Sequence, residues 1–120
     1  MPMNIDDFQT FCTKKKGSEL CFPFGDDHMV FKVGNKMFAL APLNPFNRIN
    51  LKCEPAKALQ LRAMHTSVIP GWHMNKKHWN TILLDEHPLS NKAIYAMIDD
   101  SYNLVLHSLS KEVRNTIERM

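Results

Sequence analysis

The densest run of polar and aromatic side chains is Pro70-Gly71-Trp72-His73-Met74-Asn75-Lys76-Lys77-His78-Trp79-Asn80, and its chemistry suits holding an anion better than breaking a bond. Lys76 and Lys77 supply charge, Asn75 and Asn80 supply donors, and a glycine-containing turn exposes backbone N–H groups. Trp72 and Trp79 offer stacking surface for nucleotide bases. His73 and His78 add positive charge as pH falls below about 6.5. As a metal site the run is poor, because these histidines are five apart rather than i, i+4 on a helix face, and the next acid is Asp85. As a hydrolase site it lacks a nucleophile with an adjacent base and an orienting carboxylate. Trp79 alternates with Thr81 and Leu83 and reads equally as core, whereas Trp72, following Pro-Gly, reads as partly exposed. Asp26-Asp27-His28 offers two ligands for a divalent ion, but standing just before a hairpin these are more simply turn residues.

The charge distribution gives that run a context. Residues 28–80 carry eight basic side chains, including Lys32, Arg48, Lys52, Lys76 and Lys77, against Glu54 alone, for a net charge of +7. The segments on either side are each at −2, so the overall +3 conceals a directed field whose natural partner is a polyanion.

The elements that must position these groups are short. Asn4 caps a first helix whose opening turn carries Asp6 and Asp7 and whose end carries Lys14, Lys15 and Lys16, in keeping with the helix dipole. Ile5, Phe8, Phe11 and Cys12 form its apolar stripe, and Gly17 suits the left-handed cap. The lysine triplet reads as dipole complement and solvated helix end, outside the basic face.

A strand over 19–23 precedes a hairpin, HMVFKV-GN-KMFALA, with the two-residue Gly34-Asn35 loop favoured in such turns. That loop predicts Val33 opposite Lys36, Phe31 opposite Phe38 and Met29 opposite Leu40 on a core face. Val30, Lys32, Met37 and Ala39 fall on a half-exposed face. Residues 48–52 alternate strictly, so Ile49 and Leu51 point inward while Arg48, Asn50 and Lys52 point out along one edge. A helix from Pro55 to about Met64, a strand at 66–69, a strand from His78 to 85, a long helix capped by Ser90 and a last helix capped by Ser110 complete the order α-β-β-β-β-α-β-β-α-α. That order predicts an α+β fold: an antiparallel β-sheet packed against helices on one side.

Length and composition set the class. The 120 residues, 44% hydrophobic and 22% charged, predict one domain spanning residues 1–120 with a single core. No run approaches the roughly 18 apolar residues of a membrane span, and the N-terminus lacks the basic and apolar regions of a signal peptide. Cys12, Cys21 and Cys53 are an odd count without paired zinc spacing, so reduced structural thiols, a cytoplasmic location and no metal are expected.

The segments NIDDFQTFC, FPFGDDHMVFKVGNKMFAL, INLKCEPAKALQLR and above all PGWHMNKKHWNTILLD resemble the MmcQ/YjbR family of small bacterial proteins, from about Met3 to about Leu109. The resemblance implies a fold related to CyaY, the bacterial frataxin, described as a double-wing α+β arrangement with a presumed DNA-binding role. It does not carry over the iron chemistry of frataxins, which rests on an acidic first helix. Here that helix has only Asp6 and Asp7 and ends in three lysines.

Taken together, the sequence predicts a monomeric, non-enzymatic DNA-binding module without cofactor. Lys32, Arg48, Lys52, Lys76 and Lys77 are expected to contact phosphate, and Trp72, His73, Asn75, His78 and Asn80 to position the strand or touch bases. One rival is a protein- or small-ligand-binding module using the same loop as a pocket. The other is a cryptic enzyme using His73, His78 and Asp26. A convex basic face favours DNA; a deep cleft with converging histidines favours ligand or catalysis.

Overall fold

Asn4 starts the first helix, α1 (Ile5–Thr13), as its residue type dictates: the backbone N–H of Asp7 donates to its side-chain oxygen at 2.8 Å. The structure, a computed structural model, describes residues 3–72, 74–85 and 88–120. The chain then runs through β1 (Ser18–Cys21), β2 (His28–Val33), β3 (Lys36–Pro42), β4 (Arg48–Lys52), α2 (Pro55–Met64), β5 (Val68–Pro70), β6 (Trp79–Leu83), α3 (Asn91–Ser108) and α4 (Lys111–Glu118). This is the element order read from the sequence, with ends displaced by one or two residues. The strands form one six-stranded sheet in the order β1-β2-β3-β4-β6-β5, every neighbouring pair antiparallel.

All four helices contribute to one core on a single face of the sheet. Phe8 of α1, Ile94, Ile98 and Val105 of α3 and Ile117 of α4 meet Phe31, Phe38, Ile49 and Ile82 of the strands, and Leu61 of α2 packs against the same cluster. Phe8 meets Phe31 edge-on with ring centres 5.6 Å apart, and Phe38 meets Tyr102 the same way at 5.3 Å. The expected α+β class with helices on one side therefore holds.

The hairpin turn is as expected, with both Gly34 (φ 55°) and Asn35 (φ 69°) in the left-handed region that such a two-residue loop demands. The register is not. Val33 pairs with Lys36 and Lys32 with Met37, but a bulge then shifts the ladder, so Phe31 faces Ala39, Val30 faces Leu40 and Met29 faces Ala41. One extra residue, Phe38, sits in β3, and two consecutive side chains, Phe38 and Ala39, both enter the helix-side core. Leu40 is thereby sent to the opposite face. Phe31 and Phe38 still touch, their ring centres 6.3 Å apart, as neighbours across the bulge and not as a ladder pair. The expected half-exposed face is also corrected: Val30 and Ala39 are fully buried, Ala39 on the helix side and Val30 beside Leu40 on the other.

Within the lysine triplet Lys14 is exposed as expected, while Lys15 and Lys16 tie helices together. Lys15 pairs with Asp99 of α3 and lies over the Phe11 ring, 4.6 Å from its centre. The Lys16 ammonium donates to the Glu118 carbonyl of α4 at 3.1 Å. Among the described residues no helix is long and apolar enough to cross a membrane.

Candidate functional site

The face of the sheet that carries no helix holds most of the basic residues singled out from the sequence. Opposed residues of an antiparallel pair share a face, so the pairs Arg48–Leu83, Asn50–Thr81 and Lys52–Trp79 of β4 and β6 all project there. On β2, Lys32 projects to this side opposite Glu19 of β1. Two connections curl over the middle of the face: residues 22–27 bring Phe24, and residues 71–78 bring Trp72 and Met74. Their cover is why Leu40 and Asn50 are largely buried although no helix lies above them.

Between these connections lies a cavity of about 290 Å³. Phe24, Leu40, Pro42 and Met74 give it apolar walls, and Trp72, His28, Arg48 and Asn50 complete them. The Arg48 guanidinium stands 5.5 Å from the centre of the Trp72 ring, a cation–π arrangement. It separates this cavity from a second hollow of about 400 Å³ bordered by Asn47, Leu83 and Asp85. Asn50 departs from its expected place at a solvent edge, since only 5% of its surface is exposed. Its fixed setting explains the burial. The Trp72 N–H donates to the Thr81 hydroxyl at 2.8 Å, and that hydroxyl donates to the Asn50 side-chain oxygen at 2.5 Å.

The loop that looked most chemical from the sequence is held by its own backbone. Gly71 donates to the Trp79 carbonyl at 2.9 Å, and a Cβ at Gly71 would fall 2.8 Å from the Trp79 Cβ. Only glycine allows that approach. Asn75 accepts the Lys77 N–H on its side-chain oxygen at 2.9 Å, an Asx turn that leaves Lys76 and Lys77 exposed. Arg62 of α2 braces the loop from beneath, donating to the Lys76 carbonyl, to the Trp79 carbonyl at 3.2 Å and to the Asn80 side-chain oxygen at 2.7 Å.

The expected site residues thus divide. Arg48 and Trp72 line the cavity, and Lys32 and Lys52 stand on the same sheet face. Lys76 and Lys77 sit on the loop beside the Lys52 end of β4, where the Cys53 N–H donates to the His78 carbonyl at 2.8 Å. His78 is half-buried there. Asn80 is a correction: it is 2% exposed, lies on the helix side opposite Leu51, accepts from Arg62 and donates to the Ala58 carbonyl, so it is turned inside the fold. Asn75 has its oxygen committed to the turn. Trp79 is buried on the helix-free face, outside the main core. His73 lies outside the described residues.

Phe24, Leu40, Pro42, Asn50 and Thr81 escaped the sequence reading of this site. The strict alternation of β4 and β6 does place Asn50 and Thr81 on one face, but the loops that bury them leave no periodic signal. The thiols stand apart from it. Burial pushes the Cys12 thiol far above its ordinary value and the Cys53 thiol upward as well, so neither is an activated nucleophile. Among the described residues no three His, Cys, Asp or Glu side chains come together as a metal site.

Residues 13–104 match the YjbR family model. The uncharacterised protein YbdF of Escherichia coli O157:H7 is 44% identical over 94 residues, 78% of this chain and 76% of its own length. The uncharacterised protein YjbR of Escherichia coli K12 is 32% identical over 120 residues, 98% of this chain and 100% of its own. Among solved structures, the Deinococcus radiodurans protein DR2400, a DUF419 domain, superposes with a TM-score of 0.88 at 34% identity, covering 96% of this chain and 88% of that one. A Pseudomonas syringae protein does so with a TM-score of 0.71 at 32% identity, over 86% and 99% of the two chains. The match across three quarters of the sequence, with relatives aligned over nearly all of it, places this chain in the YjbR family.

Proposed function

We propose that this protein is a non-enzymatic, monomeric, cytoplasmic DNA-binding module that uses the helix-free face of its sheet. The observation that carries the reading is the segregation of charge. Lys32, Arg48 and Lys52 project from that face, and Lys76 and Lys77 extend it along the adjoining loop. The acids of α3 look elsewhere: Asp99 is paired with Lys15 and Asp100 with Lys57. Among the described residues the acids near the basic face are Glu19, Asp85 and the turn residues Asp26 and Asp27. Such a surface attracts a phosphate backbone without demanding a sequence. Fluorescence anisotropy with labelled duplex and single-stranded DNA at about 50 mM salt tests it, salt weakening binding in proportion to the phosphates contacted. Absence of binding to both forms refutes it.

A second reading, a small-ligand module, is favoured by the cavity beside Arg48 and Trp72, which is neither convex nor solvent-flat. Ligand-induced thermal stabilisation without any DNA affinity would select it.

A further inference from the structure

The cavity is chemically one-sided. The Thr81 hydroxyl is fully buried and must give up its proton; the group that receives it is the Asn50 side-chain oxygen, at 2.5 Å. This fixes the amide, because the same hydroxyl already accepts the Trp72 N–H. The Asn50 Nδ2 has no hydrogen bond among the described residues, and Asn50, only 5% exposed, lines the cavity. It can therefore donate to an acceptor that enters the cavity. Arg48, the second polar wall, is a donor under all conditions. Among the described lining side chains the acceptors are few: a neutral His28 ring nitrogen, the Asn50 oxygen already engaged by Thr81, and the weak Met74 sulfur.

The size is equally selective. At about 290 Å³ the cavity lies at the lower limit of the roughly 300–1,000 Å³ typical of ligand pockets, room for one ring system. Its apolar walls suit a flat ring, and Arg48 in its lining belongs to the basic face.

Resting on the DNA-binding reading of this same face, we propose that the cavity receives one unstacked nucleobase of a single strand and prefers a base that presents a keto oxygen. The Asn50 amide and the Arg48 guanidinium donate to that edge while phosphates on either side meet the surrounding cations. A base that turns its exocyclic amino group to Asn50 instead places donor against donor at that contact, and must rotate another edge inward to satisfy it. A stacked, paired base cannot enter, so single strands are preferred over duplex.

The test compares 12-residue strands of deoxyuridine, of deoxycytidine and of abasic spacer at pH 8. The first two differ at C4, keto against amino, and in the proton on the adjacent N3, and all three carry the same backbone charge. The deoxyuridine strand is expected to bind about tenfold more tightly than the deoxycytidine strand, within the range a well-placed base contact provides, and the abasic strand to be weaker still. Asn50→Ala should erase the difference between the two bases, and Arg48→Gln should reduce it. Lys76→Ala with Lys77→Ala should weaken all three strands alike. If Asn50→Ala does not fold, the three-strand comparison on the unaltered protein decides. Equal, measurable affinity for all three strands overturns the base pocket and leaves the polyanion surface standing. No affinity for any strand at about 50 mM salt overturns both, since phosphate contacts are strongest there.

Discussion

The Ser101 hydroxyl donates to the Phe38 carbonyl at 2.5 Å while accepting the Lys52 N–H at 2.9 Å, so one buried side chain of α3 serves two strands. Phe38 is the extra residue of the β3 bulge, and a bulge leaves backbone groups without ladder partners. Lys52 is the last residue of β4. Ser101 thus satisfies the carbonyl that the bulge frees. Removing it strands both a buried acceptor and a donor. Ser101→Ala is expected to cost about 2–3 kcal/mol, measured as a shift in the urea midpoint at unchanged slope. A loss within about 0.5 kcal/mol, the level of an ordinary surface change, would show that the bulge does not depend on it.

Phe38 itself is fully buried between Phe31 and Tyr102, and Phe38→Ala should cost about 3–5 kcal/mol by equilibrium unfolding. Leu40→Ala should cost less than Phe38→Ala, because Leu40 borders a cavity that already lacks packing atoms on one side. Under the unbulged register both side chains would lie in the core, and Leu40→Ala would cost about as much as Phe38→Ala. Here the limit of the sequence is plain. The Gly34-Asn35 turn and the alternation of residues 48–52 are local signals and were legible. The bulge is not, because a regular ladder also buries Phe31 and Phe38 together. It takes the tertiary demand of α3, through Ser101, to decide between them. Likewise the chemical loop at 72–80 was visible from its composition, whereas the roles within it depend on faces: Asn80 turns to Arg62 under the sheet, and Asn50, between the candidates Arg48 and Lys52 on β4, becomes the cavity's donor.

Arg62 should prove structural. Its fork reaches three oxygens, two of them carbonyls of the 76–79 segment, a geometry that a lysine ammonium cannot reproduce. Both Arg62→Ala and Arg62→Lys are expected to speed amide hydrogen exchange across residues 74–79 more than in the central strands, since local opening needs only that brace to fail. Uniform acceleration everywhere would instead report global destabilisation.

The thiols give a pH prediction whose sign is fixed. Cys12 stays protonated in the fold well above its ordinary value of 9.0, chiefly because burial disfavours the thiolate. The unfolded chain loses that proton near 9.0 and the folded chain does not. Stability from this group is therefore complete below about pH 9 and falls as pH rises above it. Cys12→Ala should flatten the alkaline limb of the stability curve. A disulfide-exchange reagent should modify the half-buried Cys21 well before Cys12 in the native protein.

The salt dependence of binding reports how many cations take part. If Arg48, Lys52, Lys76 and Lys77 each neutralise one phosphate of a single strand, log affinity should fall with log salt at a slope of about −2.8. A fourfold rise, from about 50 to 200 mM, then weakens binding about 50-fold. On duplex the slope for the same four contacts is about −3.6 and the loss about 150-fold. Lys76→Ala with Lys77→Ala should flatten the single-strand slope by about 1.4 units, the share of two contacts, and do so for every sequence. Two controls keep the attribution local. Lys14→Ala and Lys111→Ala remove exposed charges from α1's end and from α4 and should leave the slope unchanged, although each lowers the net charge by the same amount as one loop lysine. Lys15 and Lys16 are unsuitable for this purpose, because their bonds to Asp99 and Glu118 join helices and their loss would register as lost folding. A slope that responds equally to Lys14, Lys111, Lys76 and Lys77 would mean that net charge alone draws the polyanion, and the helix-free face would lose its claim to be the binding surface.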